Sequence, residues 1–141
     1  MQYALSVVGR HGAVVGIDRD PLPRPIAGAR VLTGDIFATP DGELLGTLAA
    51  FDVVLSDMAP NTTGTRATDQ ARSAALFGEA LARAERLLAP GGAFVGKIFE
   101  GPDVEGLRKR MAARFSVVRT LKPEGTRAAS IEIYVAGKGF A

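Results

Sequence analysis

The sequence predicts an α/β protein with a doubly wound, mostly parallel sheet that ends in an antiparallel hairpin. Short apolar runs that resemble buried strands alternate with segments of helical periodicity, the pattern of a parallel sheet covered by helices. The last two strand-like runs are joined by a loop too short for a parallel crossover, so they must pair antiparallel. At 141 residues the chain has the length of one domain with a single core.

The first third of the chain predicts a helix end, two strands and a short helix. Residues 1–8 are apolar and short, as at the end of a helix. The runs 13–18 and 29–35 are apolar and each ends in an acid, which is typical of parallel strands. Three prolines within 20–25 predict a fixed, extended loop. The segment 41–50 predicts a short helix capped by its first residue.

The middle of the chain predicts a buried strand and the longest helix. The run 51–57 is apolar and β-branched, stops at a serine and an acid, and is closed by Pro60. Residues 67–88 favour a helix because Ala, Leu, Glu and Arg dominate and the apolar residues recur at helical spacing. The turn 90–92, Pro-Gly-Gly, cannot continue that helix.

The last third predicts a strand, a helix and the hairpin. Residues 93–99 form an apolar run, and residues 103–115 have the apolar stripe of a helix with an aspartate as its cap. The runs 116–121 and 130–136 are the two strands of the hairpin.

Composition excludes several classes of protein. The chain has no cysteine and one histidine, so disulfides, thiolate metal sites and the usual catalytic triads are excluded, and we expect no metal. A net charge of +2 permits a nucleic-acid partner without arguing for one. No apolar run has the length of a membrane span, and no signal peptide is recognisable, so we expect no membrane association and a cytoplasmic location.

Two charged residues mark a candidate site. Asp57 follows a predicted parallel strand, and ligands bind beyond the carboxyl ends of such strands. Equally, Asp57 can cap the following turn or helix. Lys97 lies within an otherwise apolar strand, where a charge is costly unless it is paired. Asp57 is its natural partner, which favours a site at this edge of the sheet.

Three segments in the right order resemble the FtsJ-like (RlmE-type) ribosomal RNA 2′-O-ribose methyltransferases. The resemblance rests on residues 56–65 (SDMAPNTTGT), 88–99 (LAPGGAFVGKIF) and 130–136 (SIEIYVA) and covers nearly the whole chain. It implies a Rossmann-like fold that binds S-adenosyl-L-methionine. It also implies that the substrate is the ribose of a uridine in 23S ribosomal RNA of the large ribosomal subunit.

The resemblance also implies a catalytic set. The family has Lys-Asp-Lys-Glu, whose last three members match Asp57, Lys97 and Glu132 here. Without the resemblance, the residues taken one by one favour a non-catalytic interpretation: Lys97 as a strand-end lysine that reaches solvent, and Glu132 as a solvent-facing residue of an alternating edge strand. The role of Lys97 stays open, because neighbouring carboxylates raise its pKa whereas desolvation lowers it, and only the neutral amine accepts a proton.

The cofactor residues follow in the same way. By resemblance Asp18 accepts both ribose hydroxyls of S-adenosylmethionine, Asp35 accepts its adenine amino group, Ile36 packs on the adenine ring, and Asp57 also belongs to the cofactor site. The alternative for Asp18 is an acid exposed to water or capping a turn.

RNA contacts are predicted at two places. The polar loop 61–66 is adjacent to the predicted site, although it is equally an ordinary surface loop. Phosphate contacts are predicted for four basic residues near the hairpin, although such residues are normally only solvated. These four are Arg119, Lys122, Arg127 and Lys138.

The chain departs from the family at its amino end. Family members begin with the first catalytic lysine, a strand and a Gly-rich cofactor loop, and we find no counterpart of these here, so we expect one methyltransferase domain without its N-terminal part. That strand belongs between 13–18 and 51–56, which would otherwise lie about 9–10 Å apart or have to pair directly. Because each unpaired buried backbone group costs about 1–3 kcal/mol, we expect a poorly folded, rearranged or associated chain with little activity.

Two other functions compete with this interpretation. A nicotinamide dehydrogenase also uses a strand-end acid such as Asp18, but its Gly-rich fingerprint is absent and Lys97 has no role in it. A catalytically inactive relic, or an RNA-binding module of the same fold, is the other alternative. Binding of S-adenosylmethionine separates the methyltransferase from both.

Overall fold

The structure is a computed structural model that describes residues 1–122 and 131–141. It divides into two units, Met1–Ala49 and Ala50–Ala141, each with its own sheet. No helix in the described ranges is both long and apolar enough to cross a bilayer.

The first unit is built on two parallel strands. Its elements are α1 (Gln2–Val8), β1 (Val14–Asp18), β2 (Ala29–Thr33) and α2 (Asp41–Leu45). The two strands pair in register from Val14 opposite Ala29 to Asp18 opposite Thr33. Because the two strands are parallel, both end at the same edge of their sheet. Asp18, the last residue of β1, and Asp35, which follows β2, therefore lie at that edge.

The second unit contains a mixed four-stranded sheet. Its elements are β3 (Phe51–Ser56), α3 (Arg66–Leu87), β4 (Leu88–Phe99), α4 (Val104–Ala112), β5 (Phe115–Leu121) and β6 (Glu132–Phe140). The strand order is β3-β4-β6-β5, with β3 parallel to β4 and β6 antiparallel to both β4 and β5. The predicted antiparallel pairing of the last two strands is confirmed.

One face of this sheet carries the core. Phe94 and Ile98 of β4 are buried with Phe77 of α3 and Val135 of β6, and the Phe77 and Phe94 rings meet edge to face at 5.4 Å. Between them, a Cβ on Gly96 would come within 2.6 Å of the Phe77 ring, so only glycine allows α3 this close to β4. Because side chains alternate along a strand, Lys97, between Gly96 and Ile98, belongs to the opposite face.

Of the two predicted helix caps, the one at Asp41 is wrong and the one at Asp103 is confirmed in its position only. Asp41 is the first helical residue of α2, because Pro40 holds the extended cap position, and no side chain caps this end. Asp103 does occupy the cap position of α4, but its backbone is already helical, and its side chain makes no capping hydrogen bond.

Several element ends also differ from the prediction. The helix α2 stops at Leu45 and not at Ala50, because the chain turns at Gly46 with φ +58°. The strand β4 begins at Leu88, five residues early, because Leu88 already pairs with Phe51 before a shift of register. The strand β6 continues to Phe140, while Ser130, predicted as a strand residue, lies outside the described residues.

The strand β3 has one free edge among the described strands. Among the described strands it pairs with β4 alone, and β1 pairs with β2 in the other sheet. Val53 and Leu55 of β3 are 53% and 66% exposed. An apolar edge strand without a lysine or proline is a template for pairing with another chain.

We therefore predict that Leu55→Lys suppresses self-association of the chain. Because the side chain is already exposed, the change should alter the stability by no more than about 0.5 kcal/mol, while a charge on the edge disfavours strand pairing. The measurement is the mass by light scattering over a concentration series. Val117→Lys on β5 is the matched control, since Arg119 already charges that edge. Equal association of Leu55→Lys and the unmodified chain would contradict the prediction.

Candidate active site

The three predicted catalytic side chains converge in the second unit. Ser56 pairs with Gly96, which places Asp57, the next residue after β3, beside Lys97. The antiparallel register places Glu132 opposite Phe99, two pairs beyond Lys97 and therefore on the same face. The Lys97 Nζ lies 2.9 Å from Asp57 Oδ1 and 3.9 Å from Glu132 Oε1. The predicted convergence is confirmed, whereas the catalytic roles of these residues stay predictions.

Lys97 is the least exposed member of this cluster. Its side chain is 13% exposed, against 79% for Asp57 and 44% for Glu132. Burial is the largest single influence and lowers the pKa of Lys97, but the hydrogen bond and charge of Asp57, with the charge of Glu132, outweigh it. The pKa of Lys97 is therefore raised, and at neutral pH the side chain is an ammonium.

The sign of this pKa shift fixes its effect on stability. For a lysine with a raised pKa, the stabilisation is fully present below the unfolded-state value of about 10.4 and is lost as the pH rises through the folded-state pKa. The ion pair between Lys97 and Asp57 is therefore intact over the whole neutral range.

Tyr134 is a member of the cluster that the sequence analysis missed. Its hydroxyl donates a hydrogen bond to Asp57 Oδ1 at 3.3 Å, and it lies directly opposite Lys97 in the sheet. Burial, and then the charge of Asp57, raise the pKa of Tyr134, so the phenol keeps its proton. The available signal was the spacing, because Tyr134 follows Glu132 by two residues and must share its face of β6.

The loop after Asp57 is held by a buried acid, Asp69, which is 6% exposed. Thr63 donates two hydrogen bonds to Asp69 Oδ1, from its backbone N–H and from its hydroxyl, both at 2.8 Å. The backbone N–H of Thr65 donates in turn to the Thr63 hydroxyl oxygen at 3.2 Å. The backbone hydrogen bond from Thr63 is the main cause of the lowered pKa of Asp69. The segment predicted as an RNA-contacting loop is thus internally ordered.

The predicted cofactor acids lie in the first unit. Asp18 ends β1 and Asp35 follows β2, and both are exposed at the same edge of the parallel pair. Asp18 Oδ1 accepts a hydrogen bond from the Asp20 N–H at 3.0 Å, and Asp35 Oδ1 accepts one from the Phe37 N–H at 2.9 Å. Both acids therefore hold turns, which is the alternative that we considered for Asp18, and both are exposed. Ile36 beside them is half-buried.

The basic residues near the hairpin are only partly described. Arg119, Lys122 and Lys138 are exposed, and Arg127 lies outside the described residues. Their predicted phosphate contacts stay a prediction.

Comparison with known proteins identifies the family. The profile of the FtsJ-like methyltransferases matches residues 1–140. The chain belongs to this FtsJ-like family. It is 46% identical over 136 residues to the ribosomal RNA large subunit methyltransferase E of Sorangium cellulosum, covering 96% of the chain and 64% of the relative. The enzyme of the same name from Desulfatibacillum aliphaticivorans is 44% identical, with 97% and 67% covered.

A solved structure agrees with this assignment. The crystal structure of a ribosomal RNA methyltransferase from Plasmodium falciparum superposes with a TM-score of 0.77 at 26% identity, over 90% of this chain and 71% of that one. The predicted α/β fold class is confirmed as the FtsJ-like methyltransferase fold, with parallel strand pairs and an antiparallel pairing of the last strands. The FtsJ-like chain described here spans about two thirds of the length of the first two relatives.

We predict that Asp57→Asn lowers the pKa of Lys97. The change removes the carboxylate 2.9 Å away and leaves burial as the dominant influence. The measurement is a pH titration of the lysine side-chain carbon resonance by NMR. Glu132→Gln is the matched control and should lower the pKa less, because that carboxylate is 3.9 Å away. An unchanged Lys97 pKa in Asp57→Asn would show that the ion pair does not form in solution.

Proposed function

We propose that this chain is the S-adenosyl-L-methionine-dependent part of an enzyme that methylates a ribose 2′-hydroxyl, on a uridine, in 23S ribosomal RNA of the large ribosomal subunit in the cytoplasm. The observation that carries the proposal is the half-buried ammonium of Lys97 between Asp57 and Glu132 at the carboxyl edge of a parallel strand pair. The family of the chain and the names of its relatives support the reaction and the substrate.

The first unit offers suitable groups for the cofactor. Asp18 and Asp35 present two carboxylates at one edge of a parallel pair, and carboxylates accept hydrogen bonds from ribose hydroxyls and from an amino group. Ile36 supplies an apolar neighbour for a flat ring. When bound, S-adenosylmethionine supplies a methyl carbon on a sulfonium, so that transfer forms an O–C bond, breaks a C–S bond and releases the hydroxyl proton.

The charge of Lys97 decides its part in this reaction. An ammonium cannot accept the hydroxyl proton, so Lys97 instead donates a hydrogen bond to the ribose oxygen and stabilises the negative charge that develops there. Asp57 holds the ammonium at 2.9 Å and is largely exposed, so it lies where a hydroxyl bound to Lys97 can also reach it. The proton leaves to Asp57 or to water. Glu132 adds a second negative charge that keeps Lys97 protonated.

The alternatives lack a comparable observation. A dehydrogenase has no role for the ion pair between Lys97 and Asp57, although keeping the Lys97 charge in this position is costly. An RNA-binding module without activity needs only the exposed basic residues. The methyl-transfer reaction itself therefore separates the proposal from this second alternative.

We expect Lys97→Ala to lower the single-turnover rate of methyl transfer by about 100-fold or more, because the oxygen loses its only nearby cation in the cluster. The measurement is transfer of labelled methyl groups to 23S ribosomal RNA and to large ribosomal subunits. The ratio of the Lys97→Ala rate to the rate of the unmodified chain decides the outcome, even if both rates are slow.

The control for this experiment is Lys109→Ala, which removes the same charge from the exposed surface of α4 and should leave the rate unchanged. Thermal unfolding of both variants checks that the fold is retained. A near-normal rate for Lys97→Ala would remove it from the mechanism, and no transfer by the unmodified chain to either RNA would refute activity of this chain.

A further inference from the structure

The second unit contains an open pocket beside the catalytic cluster, with a volume of about 380 Å³. We call it the rim pocket. We call its polar lining from the loop and the start of α3 the rim (Thr62, Gly64, Arg66 and Asp69) and its apolar lining the floor (Phe99 and Ile131). This volume is within the range of about 300–1,000 Å³ that is typical of small-ligand sites.

The rim pocket shares a residue with the catalytic cluster. Glu132 lines the pocket, and its Oε1 lies 3.9 Å from Lys97 Nζ. The pocket and the ammonium therefore share Glu132 as a common neighbour. This continuity makes the pocket part of the surface on which a substrate must lie to present a hydroxyl to Lys97.

The lining of the pocket has two chemical characters. The floor is apolar, with Phe99 6% exposed and Ile131 half-buried beside it. The rim is polar and holds one acid, Asp69, whose Oδ1 already accepts two hydrogen bonds from Thr63. Its base, Arg66, is exposed and has no ion pair among the residues that the structure describes. A flat heteroaromatic ring fits the floor and an anion fits the rim, and single-stranded nucleic acids combine these two groups in every residue.

The walls of the pocket are held in place before any ligand binds. Asp69 fixes the rim loop through its hydrogen bonds from Thr63. Gly64 has φ +82° with open space around it, so the turn of the rim requires glycine because of its backbone and not because of crowding. A rim that is already ordered reduces the entropy cost of binding.

The floor is fixed by a second set of bonds. The Glu100 N–H donates to the Ile131 carbonyl at 2.7 Å, which ties the end of β4 to the start of β6. The Gln70 side-chain amide donates to the Glu100 carbonyl at 2.7 Å, which ties α3 to the same point. Both floor residues are therefore adjacent to a fixed junction.

We propose that the rim pocket binds one nucleotide of single-stranded RNA, with its base on Phe99 and Ile131, its phosphate against Arg66, and its ribose toward Lys97. This inference rests on the proposed function, and it adds the place where the acceptor nucleotide lies. Arg66, Phe99 and Ile131 then position the substrate and take no part in the chemistry.

The first test is binding of a fluorescein-labelled hexauridylate to the full chain, measured by anisotropy over a salt series. Arg66→Ala should weaken binding about fivefold and reduce the slope of log affinity against log salt by about 0.7, the share of one phosphate contact. Lys109→Ala removes the same charge from α4 and should change neither value. Equal effects of the two variants, or no binding by the unmodified chain at millimolar RNA, would overturn the inference.

The second test locates the base. RNA that contains 5-iodouridine is photocrosslinked to the full chain, and the modified peptide is identified by mass spectrometry. We expect crosslinks in the peptides that carry Phe99 or Ile131 and a lower yield for Phe99→Leu, whose thermal unfolding is checked in parallel. Crosslinks confined to peptides outside the pocket would overturn the inference.

The two tests separate this inference from the proposed function. Neither readout requires methyl transfer, and Lys97→Ala should abolish transfer while it keeps the crosslinks in the rim pocket. Crosslinks in the pocket together with no transfer by the unmodified chain would support the pocket and refute the activity. Transfer by the unmodified chain with crosslinks only elsewhere would refute the pocket alone.

Discussion

The ammonium of Lys97 is the constraint on which the site depends. A charge that is 13% exposed requires partners, and the sheet supplies them from two neighbouring strands. The parallel pairing of β3 with β4 brings Asp57, and the antiparallel pairing of β6 brings Glu132 and Tyr134. If either register moved by one residue, the side chains would change face and the charge would lose a partner. The same strand pairings therefore determine both the mixed topology of the sheet and the electrostatics of the site.

Glycine makes this arrangement possible on the other side of β4. Gly96 lets Phe77 pack directly on the strand, and this contact anchors α3 to the core face. The neighbouring Lys97 is free of that packing because successive side chains alternate between faces. A single strand thus supplies core contacts and a charged group in adjacent positions, which explains why its sequence mixes apolar residues with glycine and one lysine.

The sequence predicted the order of the elements and the convergence of the three charged residues, because periodicity and strand-end acids are local patterns. It could not predict Tyr134, whose role depends on the register between β4 and β6, a long-range property. It was wrong on the cap at Asp41, because the preceding Pro40 takes the extended cap position. It placed the cap of α4 correctly at Asp103, although no side-chain capping hydrogen bond forms there. The separation of the strands into two sheets also depends on long-range pairing. The local patterns did not decide whether the strands 13–18 and 51–56 would lie apart or pair directly.

The helix α3 connects to both walls of the rim pocket. Asp69 in its first turn holds the rim loop, and the next residue, Gln70, holds the end of β4 through the Glu100 carbonyl. One turn later, the Ser73 hydroxyl accepts a hydrogen bond from the Phe99 N–H at 2.9 Å. A small sliding movement of this one helix would therefore carry the rim and pull on the floor together. The width of the opening beside Lys97 is then set by the position of α3 on the sheet, so substitutions deep in the core can change the shape of the rim pocket.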